Sequence, residues 1–177
     1  MTRLLLLPFL LLGACLLAGL YGAVHNQISY SVGPDYFHAF KFRQFGIPAD
    51  QHGRLGAAIV GWRASWWMGL IIGAPIALLS IAIPGAARAA KTFAMAAILV
   101  VGLTLGLGLA SLLFTVPPDL YHLMYVPTGL SDPAPFVRAG FMHNTSYLAG
   151  LIGLAFGVVF MAWRIWRVRR ETRAEPS

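Results

Sequence analysis

The chain is short of charge, of acid and of cysteine, and each shortage closes off a class of protein. Only 11% of its 177 residues are charged, against about 25% in an ordinary soluble domain. Cys15 is the single cysteine, which excludes an internal disulfide and any Cys-x-x-Cys redox or zinc motif. No glycine-rich phosphate loop, haem-attachment motif or nucleophile–base pair at a recognisable spacing occurs. The long apolar runs hold no Asp, Glu or His, the groups that proton relays and ion pathways use inside membranes, so a transporter or channel is disfavoured. The net charge of +7 does not indicate nucleic acid, because the basic residues flank the apolar runs, where they set topology and meet lipid head groups.

What remains is apolar. Hydrophobic residues make up 58% of the chain and mean hydropathy is +0.72. Lipid cannot satisfy exposed backbone groups, so spanning segments are helices or closed barrels, and long unalternating runs select helices. Four runs approach or exceed the roughly 20 residues a span needs: 4–24, 55–83, 93–114 and 147–166. The expected fold is all-α, a polytopic transmembrane four-helix bundle forming one domain over 1–177. Two polar loops, 25–54 and 115–146, would cap it, and a basic tail would occupy 167–177. Gly69/Gly73, Gly102/Gly106 and Gly153/Gly157 offer small-residue faces for close helix approach. Pro75 falls mid-span and predicts a kink.

Charge sets the expected topology. Arg164, Arg167, Arg169, Arg170 and Arg173 follow the fourth run, Arg88 and Lys91 lie between the second and third, and Arg3 precedes the first. By the positive-inside rule these face the cytoplasm. The chain is then a multi-pass protein of the bacterial inner membrane with both termini inside. Lys41, Arg43, Arg54 and Arg138 fall outside, together with every histidine; Glu171 and Glu175 are the acids left inside. The first run is read as an uncleaved span. Cleavage near Ala23, as in a signal peptide, and lipidation of Cys15 are the alternatives. All three keep the loops outside.

The polar residues of those loops repeat a pattern. Pro34-Asp-Tyr-Phe-His38 and Pro118-Asp-Leu-Tyr-His122 each set an Asp and a His three apart behind a proline. Proline and Asp suit a first helical turn, and residues i and i+3 share a helix face. Asp35 with His38, and Asp119 with His122, therefore read either as ordinary helix starts or as metal ligands of the carboxylate–histidine type. A second echo, His25-Asn-Gln-Ile-Ser-Tyr30 and His143-Asn-Thr-Ser-Tyr147, marks two span ends. His25, Asp35, Asp119, His122 and His143 could converge outside the membrane, and such a set suits Fe, Mn, Zn or Cu. Trp62, Trp66 and Trp67 mark an interfacial belt around Arg63, which can stack on an indole and pair with a loop carboxylate. Arg63, Trp62, Trp66 and Tyr147 are candidate ligand-binding residues. His52 reads as a surface-loop residue.

These stretches resemble a family of uncharacterised bacterial four-span integral-membrane proteins. The likeness rests on His25, Gln27 and Ile28; Asp35, Tyr36 and Phe37; Gly61, Trp62, Ala64, Ser65, Trp66, Trp67 and Gly69; and His143, Ser146, Tyr147, Leu148 and Gly150. That family tends to have Asp where this chain has Asn26 and Glu where it has Asp35, and it lacks a regular His at position 38. The resemblance implies a four-span layout, carries no activity, and favours His25, Asp35 and His143 over His38 as ligands. Two functions are expected from different classes. One is a membrane protein whose outer His/Asp/Arg site takes a metal ion or small ligand. The other is a non-catalytic accessory or assembly subunit with membrane-protein partners. Both have the lipid bilayer as a partner.

Overall fold

The apolar runs fold as four long helices: α1 (Leu7–Val32), α2 (Arg54–Ser80), α3 (Ala86–Ala110) and α4 (Pro133–Ala174). The structure is a computed structural model and describes residues 4–174; Arg3 and Glu175 lie outside the described residues. Among the described residues there is no strand, and four helices are long and apolar enough to cross a membrane.

Two helix ends lie well beyond the apolar runs. α1 continues through His25 to Val32 and stops where Gly33 and Pro34 follow, with Gly33 N–H donating to Ser29 O at 3.0 Å. α4 starts at Pro133, far ahead of the expected position 147. Proline needs no donor in the first turn, and Asp132 Oδ1 accepts from Ala134 N–H at 3.0 Å. His143 therefore sits about 15 Å inside a helix, ten residues from its start at ~1.5 Å each. Both histidines are helical, not part of loops.

The helices alternate in direction. Segments 33–53 and 111–132 lie at one end, here the histidine end, and the link 81–85 lies at the other. α1 packs along α2, and α3 along α4, while contacts between these pairs are far sparser. Glycine makes the first pairing possible. A Cβ on Gly61 would strike the carbonyl of Gly22, and one on Gly69 would strike the backbone of Ala14. Gly153 and Gly157 meet Val100 across the second pair. Gly102 and Gly106, the third spaced pair, face open space. Pro75 lies within α2, which continues to Ser80.

Two apolar clusters fill the interior. One joins Leu10, Ile76, Phe93, Val100 and Met161 toward the link end. The other, at the histidine end, holds Phe37, Phe42 and Phe136, each exposed by 1% or less. Outside, the polarity is that of a lipid-facing protein: Phe9, Ile98 and Val159 are 72%, 68% and 66% exposed. Toward the link end Arg167 and Arg170 lie over exposed Trp163 and Trp166, at 5.1 and 4.8 Å from the ring centroids. The long exposed apolar surface is consistent with a multi-pass membrane protein.

Replacing Gly61 by Ala forces α1 and α2 apart and is expected to cost about 1–3 kcal/mol, whereas Gly102→Ala should stay within about 0.5 kcal/mol. Unfolding of the detergent-purified variants measures both. Equal losses would contradict the glycine contact.

Candidate functional site

Between the two apolar clusters lies a buried polar set drawn from α1 and α4. His25 and Asn26 are each 3% exposed, His143 is 7% and Ser146 is 8%. The rings of His25 and His143 meet edge to face at 4.8 Å. Asn26 is the hub. Its Nδ2 donates to Ala57 O of α2 at 2.9 Å, which turns Oδ1 toward His143 Nε2 at 3.1 Å. Ser146 Oγ and His25 Nε2 share a hydrogen bond at 2.9 Å, and His25 Nδ1 lies 3.5 Å from the same Asn26 oxygen. The other nitrogen of His143, Nδ1, donates to Ala139 O at 2.9 Å. Acceptors thus face both ring nitrogens of His143. A neutral ring satisfies one of them at a time, so the set has a place for one proton beyond those of two neutral imidazoles. Tyr36 tilts over His143 at 4.9 Å and meets Phe136 edge to face at 5.2 Å, covering the site from the histidine end.

The set heads a cleft between the two helix pairs, with about 990 Å³ of empty space including its open mouth. Polar lining is confined to the histidine end: Tyr21, Lys41, Ser65, Thr104 and Tyr147 join the set just described. Beyond them the walls are apolar, with Ile72, Ile76, Phe93 and Val100 among small residues such as Ala14 and Ala97. On α2 the lining runs from Val60 to Ile76, sixteen residues or roughly 24 Å. Tyr147, 43% exposed, is part of it, so the cleft meets the surface there. Tyr21 Oη is buried near Ser146 without hydrogen-bond geometry to any described residue.

Lys41 enters the cleft from segment 36–41, a wide turn of π type. Its Nζ donates to Gln44 Oε1 at 2.8 Å and lies 4.6 Å from the Phe40 ring centroid. Burial lowers the proton affinity of this ammonium. No acid pairs with it: the single ion pair among the described residues is Arg167–Glu171 at 3.7 Å, near the far end of α4.

The five-residue convergence expected from sequence does not form. Of its members only His25 and His143 meet, and among the described residues no group of three or more His, Cys, Asp or Glu is arranged to hold a metal. The turn at 36–41 explains the loss of Asp35 and His38. It drives Tyr36 and Phe37 inward as packing residues and leaves Asp35 and His38 exposed. His38 Nε2 bonds Tyr30 Oη at 2.9 Å, and its ring lies 5.6 Å from that of His52. Asp119 and His122 are exposed on a short 3₁₀ turn, where His122 Nδ1 donates to Asp119 O at 2.6 Å. Arg63 is exposed and donates to Phe45 O at 3.1 Å; among the described residues it has neither a carboxylate partner nor a ring beneath it. Trp62 covers Gly19, and Trp66 is 46% exposed. Of Arg63, Trp62, Trp66 and Tyr147, only Tyr147 lines the cleft. Asn26, Ser146, Tyr21 and Lys41 are the site residues that the sequence did not single out. The first two carry a signal, since each is a polar residue within a turn of a histidine at a span end. Lys41 carries none, because only the packing of 36–41 brings it inward.

No family model, curated protein or solved structure matches the chain.

Asn26→Leu strips the hub and takes the Asn26 partner from one nitrogen of each buried ring, leaving only the bonds to Ser146 and Ala139; a loss of about 1–3 kcal/mol is expected, against less than about 0.5 kcal/mol for Asp35→Asn. Lys41 adds a pH signature. Its folded-state pKa lies below the unfolded value of 10.5, so between the two the unfolded chain holds more protons and stability rises with pH. Unfolding curves of wild type minus Lys41→Met should show that rise, ending at the unfolded value. A flat difference would remove Lys41 from the buried end of the cleft.

Proposed function

We propose that the protein is a multi-pass protein of the bacterial inner membrane that holds a small amphipathic molecule, its chain in the cleft and its polar head against His25, Asn26 and His143. The carrying observation is a compact polar set at one end of a long apolar cleft: binding sites are mostly apolar with a few convergent polar groups. In this reading the four helices form a bundle, segments 33–53 and 111–132 cap it outside, and both termini are cytoplasmic. Helix alternation supports the orientation, since Arg88, Lys91 and the arginines of 164–173 all fall toward the link end. The family resembled is the natural home for such a chain. A transition metal has less support, because among the described residues no third His, Cys, Asp or Glu joins the two histidines.

An accessory or assembly subunit is the second reading. It is favoured by the same bonds, which tie α1, α2 and α4 together. Native mass spectrometry of protein released from its membrane separates the two. A bound small molecule near one per chain is expected, lost in Ala97→Phe, which fills the cleft, and kept in Asp35→Asn. Protein free of any adduct, with a second polypeptide retained, would favour the subunit.

A further inference from the structure

We infer that the molecule held in the cleft is a single-chain amphipathic anion, a long-chain carboxylate, with its carboxylate beside Lys41 and the His25–His143 pair. The inference rests on the reading just given and adds the charge and the number of chains. Three independent features carry it.

The first is charge without a counter-charge. Lys41 presents its ammonium to the polar end of the cleft, and among the described residues no Asp or Glu lines that cleft. Its companions are Gln44 and the faces of Phe40 and Tyr36, which solvate a cation weakly and leave donor capacity unused. The second is the surplus place for a proton on His143. Among the described residues, every group facing that ring is neutral or cationic: Tyr36, Phe37 and His25 lie against it, the Asn26 and Ala139 oxygens face its two nitrogens, and Lys41 lines the same cleft. An anion beside Lys41 supplies the negative charge that lets both acceptors of His143 be satisfied at once. The hydroxyls of Tyr21 and Tyr147 are further donors in the same wall.

The third feature is shape. Below Thr104 and Ser65 the described lining holds no polar side chain, and alanines and glycines leave a slot between larger apolar residues. From Ser65 to Ile76 this wall runs eleven residues along α2, roughly 16 Å, which exceeds half the ~30 Å hydrocarbon core. That suits one extended acyl chain, whereas a diacyl lipid brings two.

The test places the full chain in phosphatidylcholine nanodiscs and measures displacement of radiolabelled oleate by oleate, oleyl alcohol and dioleoyl phosphatidic acid. Oleate should bind at least about tenfold more tightly than oleyl alcohol, a difference of ~1.4 kcal/mol. Lys41→Met should shrink that preference to about threefold or less, and Lys41→Arg should keep it. Ala97→Phe should weaken both single-chain probes alike. Equal binding of acid and alcohol in the wild type overturns the anion while leaving the amphipathic site intact. So does a preference that survives in a folded Lys41→Met protein. Phosphatidic acid displacing the label better than oleate overturns the single chain. Binding of neither oleate nor oleyl alcohol overturns the site itself.

Discussion

The amide of Asn26 is the joint on which the histidine end depends. Its nitrogen holds the Ala57 carbonyl of α2, and its oxygen takes His143 of α4. One side chain on α1 thereby fixes two other helices in rotation and depth. In a low-dielectric interior such bonds are strong when made and costly when left open. His25 and Ser146 complete the joint from either side. Tyr36 then lies on His143, so the segment after α1 is seated by the same group that joins the helices.

That joint matters because packing elsewhere is uneven. Glycine brings α1 onto α2 through Gly22, Gly61 and Gly69, and Gly153 and Gly157 bring α4 onto α3. Each pair is close, yet the two pairs meet only sparsely. Helices in lipid gain no hydrophobic drive toward one another, so close contact and hydrogen bonds decide where they join. The pairs join at the polar set and at the apolar cluster around Ile76 and Val100, and the cleft is what lies between. The structure thus pairs a polar end with an apolar cleft, and among the described residues no acid lines either.

The spans were legible in the sequence because continuous apolar runs have one solution in lipid. Their ends were not. Hydropathy falls at Val24 and rises at Tyr147, but the helices obey Gly33-Pro34 and Asp132-Pro133, which are local backbone signals. Reading those signals would have moved His25 and His143 into helices and suggested their meeting. The repeated Pro-Asp-x-aromatic-His motif misled for a related reason. Its acid and histidine are the conspicuous residues, yet at 34–38 the aromatic pair does the structural work: Phe37 is fully buried, and Tyr36 is 6% exposed. Fully burying a residue of that size contributes roughly 1.5–3 kcal/mol, more than an exposed Asp or His returns. Asn26 was visible as a polar residue beside a histidine, within a repeated His-Asn pattern, but not as a hub. Lys41 depended on tertiary packing that no local pattern encodes.

The claim that everything else leans on is the bond between Asn26 and His143, and a double-mutant cycle addresses it directly. Stability would be measured for Asn26→Leu, His143→Leu and the double variant in the same detergent. Coupling of about 0.5–3 kcal/mol is the result this account requires for residues in one buried network. Losses that simply add, within about 0.5 kcal/mol, would mean that the two side chains act independently and that α1 and α4 are held together by something else.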